Sequence, residues 1–220
     1  MSGSISRNDA IALLCDADLK NLTPDERAEQ LEIMTREDWA SDPQWLTIPA
    51  DVRSEIENQD EIEQPTDARY DPVLRLWLQG RYAGARNEFL ASRLQIIGHD
   101  YPQIIGGPAP QLACPCCGAC TLGSRGDYEI CRVCWWEDDG QDNHNANKVM
   151  GGPNYQLSLT RGRINYLVSG ISDPSRNDLR ELQEPSEKYV SGRSFVLSDD
   201  GRSVSEPSTE WQASLDDEVD

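Results

Sequence analysis

Six of the seven cysteines lie between positions 114 and 134, and their spacing constrains the fold of this 220-residue chain more than any other feature. Cys114 and Cys117 form one C-x-x-C pair; Cys131 and Cys134 form a second. Two residues between thiolates let a tight turn aim both sulfurs at one ion, and two such turns complete a tetrahedron with Zn–S bonds near about 2.3 Å. Thirteen residues, 118–130, separate the pairs, a little fewer than the roughly 15 to 20 of the common zinc pattern. Thr121-Leu122 and Tyr128-Glu129-Ile130 read as strands around a turn at 123–126, so a hairpin is expected to deliver the second knuckle beside the first. That is a zinc ribbon holding one Zn²⁺. An ion with four protein ligands keeps no open position for substrate water, which argues for a structural metal, and four thiolates leave it a residual charge of about −2.

Two surplus thiols leave the ligand choice open. Cys117 and Cys120 form a third C-x-x-C pair and Cys116 lies inside the first, so Cys116 and Cys120 stand as substitute ligands. The set Cys114, Cys117, Cys131 and Cys134 ranks first because it alone leaves two symmetric knuckles. A thioredoxin-type pair needs a βαβ setting, and none is visible. Oxidation of Cys116 or Cys120 with release of zinc is the redox-sensor alternative.

The run Cys114-Pro115-Cys116-Cys117-Gly118, followed by Tyr128-Glu129-Ile130-Cys131 and Val133-Cys134-Trp135-Trp136-Glu137-Asp138-Asp139-Gly140, resembles the signature of the bacterial cysteine-rich CPCC family. Gly151-Gly152-Pro153-Asn154 with Leu157-Ser158-Leu159 is similar to the segment that closes that domain. Arg132 stands where a proline is common in the family, and Cys120 where a non-cysteine is usual. The resemblance implies a small zinc-ribbon-like domain without an established reaction. It also favours the acidic turn Glu137-Asp138-Asp139 as a recognition surface, with Trp135 and Trp136 covering the metal and one ring exposed to a partner.

Outside this cluster the chain is helical, then irregular. Ser6 before Asp9 and Thr23-Pro24-Asp25-Glu26 are helix starts; the second is expected to run to about Met34. Trp39 and Trp45 are expected to plug a gap between helices. The stretch 51–67 holds seven acids against Arg53 alone and reads as mobile, although Val52 and Ile56 can pack a short helix. Further helices start at Asp71-Pro72 and at Asn87, the latter closed by Gly98. Gly106-Gly107-Pro108-Ala109-Pro110 marks a boundary, and one more helix is expected from about Ser158. The fold class is therefore mainly α with a small zinc-ribbon-like β-hairpin module and a disordered acidic C-terminal tail. Its parts are a helical domain over 1–105, the cysteine-rich domain over 111–170, and a mostly irregular or disordered tail over 171–220.

Composition bounds the partners. Leu, Ile, Val and Phe supply only 44 residues and the formal net charge is −19, the edge of the range where part of a chain cannot pack. Such a field repels a phosphate backbone and matches a basic protein, of which a toxin neutralised by an acidic immunity protein is the concrete case. Nucleic acid is excluded on charge. A membrane is excluded because the apolar run 10–15 is far shorter than the roughly 20 residues of a span. No secretory segment is visible, so a cytoplasmic, reducing location is expected. Glu137-Asp138-Asp139-Gly140 with Asp142 lacks the alternating register of a calcium loop. His99 and His144 have no neighbouring nucleophile in sequence, and an enzyme is expected only if acids near Asp138 and His144 line a cleft. No catalytic residue is assigned.

Overall fold

The computed structural model describes residues 3–36, 43–59, 62–101 and 103–207. The chain divides into two compact units, the first ending at Pro108 and the second beginning at Ala109. Each has its own hydrophobic core. The mainly helical class with a small hairpin module is what the sequence led us to expect. Among the described residues no helix is long and apolar enough to cross a membrane.

The first unit is built from α1 (Arg7–Asn21), α2 (Pro24–Met34), α3 (Ala50–Glu57), α4 (Asp71–Ala83) and α5 (Asn87–Ile96). Their starts follow the expected capping chemistry: Ser6 accepts from the amide of Asp9, and Thr23 and Glu26 form a reciprocal capping box. α1 packs on α4 and α5, and α2 on α4, burying Leu14, Leu31, Leu74, Leu90 and Leu94 completely. Trp45 is buried, and its indole N–H donates to Glu57 at 2.6 Å; Trp39 lies outside the described residues. Residues 51–57 of the acidic stretch are helical, because Val52 and Ile56 dock α3 into the core. α4 continues past Gly80 to Ala83, with buried Tyr82 supplying the extra turn's contact.

Two features of this unit have no local signature. β1 (Ser4–Ser6) pairs in parallel with β2 (Gln103–Ile105), tying the two ends of the unit together. Arg7 is buried and donates to the carbonyls of Tyr82, Ala83 and Ala85, satisfying the open end of α4 with a cation where the helix dipole favours one.

The second unit contains β3 (Leu112–Ala113), β4 (Cys120–Leu122), α6 (Leu159–Ser169), β5 (Val196–Leu197) and β6 (Val204–Ser205). α6 starts at the expected cap, Ser158, and ends at Gly170 in the left-handed conformation. The hairpin corrects the sequence reading in one respect. β4 pairs with β3, not with the segment around Glu129, because Tyr128 takes a positive φ of 62° and the Glu129 carboxylate folds back onto the amides of Gly123 and Ser124. Each knuckle is therefore flanked by its own short antiparallel pairing, the second by a bridge between Ile130 and Glu137.

The segment from 171 to 207 is mostly irregular, yet it is packed. Ile171, Glu184, Lys188, Tyr189, Arg193 and Phe195 are buried. The acids Asp216, Asp217 and Glu218 lie outside the described residues.

Candidate metal centre

The two knuckles repeat one backbone design. In the first, Gly118 N–H donates to the carbonyl of Cys114 at 2.9 Å and Cys114 N–H to that of Ala119 at 2.9 Å. In the second, Trp135 N–H donates to Cys131 O at 2.8 Å and Cys131 N–H to Trp136 O at 2.9 Å. Each turn needs a left-handed residue after its second cysteine, and Gly118 and Trp135 supply it with φ of 84° and 62°.

These turns bring Cys114, Cys117, Cys131 and Cys134 together, with all four sulfurs within 4.8 Å of one another. Sγ–Sγ is 3.7 Å between Cys114 and Cys134 and 3.5 Å between Cys117 and Cys131. A tetrahedron with 2.3 Å bonds has edges of about 3.8 Å, so the donor set fits a tetrahedral thiolate-bound ion. Two donors support the sulfurs: Thr121 Oγ1–H reaches Cys131 Sγ at 3.1 Å and the amide of Cys116 reaches Cys114 Sγ at 3.4 Å.

Burial opposes ionisation throughout the cluster. It pushes the Cys114 thiol up, and with the sulfur–sulfur hydrogen bonds it pushes those of Cys117 and Cys134 well up. At Cys131 burial acts the same way, but hydrogen bonds from the other three cysteines and Thr121 outweigh it and hold that thiol well below its ordinary range. A cation bound among the four sulfurs would offset the cost of ionising them.

Three elements hold the knuckles. α6 supports the first: Arg163 Nε–H donates to Pro115 O at 2.8 Å, and Gly162 leaves room for the Trp136 ring, which a Cβ there would approach to 2.9 Å. Residues 183–193 run across both as a strap. Gln183 Nε2–H and Glu184 N–H donate to Val133 O and Arg132 O at 2.6 and 2.9 Å. Gly192 N–H and Arg193 N–H donate to Gly118 O at 2.9 and 3.2 Å, and Cys120 N–H to Val190 O at 2.8 Å. The third element is a buried ion network: Arg193 binds Asp142 at 2.7 Å and Glu206 at 2.8 Å, while Lys188 and Tyr189 both engage Glu184.

Other residues singled out in the sequence take different places. Cys116 is buried against α6, where its sulfur would lie 3.4 Å from a Cβ at Gly162, and Cys120 packs beside Gly192; neither belongs to the four-sulfur group. The expected recognition surface is partly internal. Trp136 and Asp138 are fully buried, the latter paired with Arg125 at 2.7 Å, so neither can face a partner. Glu137 and Asp139 are half-buried and held by Asn154. Trp135 is the half-exposed ring of the pair. His144 is exposed and does not pair with Asp138. Thr121, Gly162, Arg163 and the strap carry no motif of their own; a glycine inside a helical pattern is the one signal that pointed to Gly162.

Residues 112–188 match the family described as Cysteine-rich CPCC, in agreement with the resemblance seen in the sequence. No curated protein and no solved structure matches the chain.

Proposed function

We propose that the second unit is a structural zinc domain and that the chain works as a non-catalytic, acidic binding module for a basic protein. The observation that carries this reading is the closed set of four converging cysteine sulfurs. Soft thiolates in a tetrahedron select zinc over hard cations, and four protein ligands leave no site for a reacting water. In a reducing compartment such as the cytoplasm these thiols remain available for metal. The net charge of −19 supports a basic partner, since opposite potentials speed encounter and sharpen discrimination. Neutralisation of a basic toxin, in the manner of an immunity protein, is the concrete form of that reading. Trp136 and Asp138 are buried, which leaves Trp135, Glu137 and Asp139 as the partly exposed members of that turn for such a contact.

A thiol-based sensor is less well supported. Cys116 is buried and burial raises the Cys120 thiol, whereas reactive cysteines are exposed and have lowered pKa values. An enzyme lacks its pair: burial, and secondarily Asp139, raises the Glu137 carboxyl, but His144 stands in solvent.

Two measurements test the proposal. Native mass spectrometry of the full chain is expected to show one zinc that a chelator removes. Capture from a host lysate is expected to retain a basic protein that leaves as salt rises through the range where the Debye length falls below about 8 Å. A chain that binds no zinc removes the structural-metal reading, and a salt-independent or empty capture removes the acidic-module reading.

A further inference from the structure

The hydrogen bonds that the strap donates go to the backbone of the knuckles, so its acceptors exist as an array only while the knuckle turns are formed. Gly118 O, Arg132 O and Val133 O receive four of its hydrogen bonds. On the metal reading, a single ion gripped by two sulfurs from each knuckle would lock the two turns together. The strap's own anchor is remote in sequence: Arg193 is clamped between Asp142 and Glu206, and its guanidinium lies 5.2 Å from the Phe195 ring centre. Residues 189–206 lie beyond the stretch that matches the family.

Resting on the metal reading above, we propose that metal occupancy and docking of residues 183–206 are one linked equilibrium. Loss of the ion releases the strap, and loss of the Arg193 anchor weakens binding of the ion. The second half follows from the first, because a coupling free energy between two binding events is reciprocal. The strap is then a reporter of metal state: with the ion present Lys188 and Arg193 are buried, and without it both side chains and the apolar surface beneath Tyr189 are uncovered.

The test uses the full chain with zinc. Trypsin is expected to cut after exposed Arg202 in the zinc form while sparing Lys188 and Arg193, and to cut after both once a chelator is added. Continued protection of Lys188 and Arg193 in chelator overturns the proposal. Zinc affinity, read by equilibrium competition with a chromophoric chelator, is expected to be at least threefold weaker in Arg193→Ala than in the parent, and a smaller change also overturns it. Should Arg193→Ala fail to fold, Glu206→Gln, which leaves the Asp142 pair intact, is read against the same threefold mark. Zinc content measured first separates the two readings: a parent without zinc sinks the metal centre itself, whereas a zinc-loaded parent whose affinity Arg193→Ala leaves unmoved sinks only the linkage.

Discussion

Trp135 holds in the second knuckle the left-handed backbone position that Gly118 holds in the first, and the two amides close equivalent bonds to Cys131 and Cys114. The positions differ in what lies next to them. A Cβ on Gly118 would collide with the carbonyl of Arg193, while the backbone at Trp135 tolerates a full indole. Gly118→Ala therefore adds left-handed strain of about 1 kcal/mol to an overpacking cost of about 1–3 kcal/mol. Trp135→Gly relieves strain and loses a half-buried ring, effects of opposite sign. Thermal melts with zinc are expected to show a drop of several degrees for the first and little net change for the second.

Ligand substitution separates the thiols. Cys131→Ala is expected to abolish stoichiometric zinc binding, and Cys116→Ala to preserve it, since only the former contributes a sulfur to the group of four. Metal content by mass spectrometry reads both.

The hydroxyl of Thr121 donates to the sulfur of Cys131. Groups that orient a metal's ligands are worth about 10- to 100-fold in affinity. Thr121→Val is expected to fall at the lower end, about tenfold weaker in a competition titration, with the fold unchanged.

Because the two cores are separate, removal of metal is expected to erase tertiary signal from the tryptophans of the second unit while most helical dichroism survives. Equal loss of both signals would show one cooperative structure.

The first unit carries an independent alkaline limit. Burial, then the nearby Asp18, pushes the Cys15 thiol from its ordinary value near 9 up to about 12. A raised folded pKa means stability that is complete below the unfolded value, about 8.5, and lost as pH rises toward the folded one. Melting of the helical unit is expected to decline above about pH 8.5. In Cys15→Ala the decline should be delayed until Tyr82, which burial and Asp18 also raise, begins to titrate.

The helical starts were legible because caps are local: Thr23 and Glu26 need only three residues to meet. The grouping of cysteines was legible for the same reason, since each C-x-x-C carries its own turn. Three-residue strands such as Ser4–Ser6 present too little alternation to be read, and their partner lies about a hundred positions away. The hairpin partner of β4 was misread because Leu112-Ala113 is shorter still. Asp138 looked like a surface acid because nothing in sequence announces that Arg125 will neutralise it. The strap was invisible since it is held by backbone hydrogen bonds and ion pairs, and a hydrophobicity pattern records neither.

The strap also gives the site a history. Arg193 is made 59 residues after Cys134, an interval of about 3 to 12 s at ordinary rates of synthesis of roughly 5–20 residues per second. For that time the four sulfurs belong to a chain whose closing segment has not yet been synthesised. On the metal reading, an ion captured early would enter an open knuckle pair and the later-made strap would then shut it in, so the birth order of these residues would make entry easier than escape.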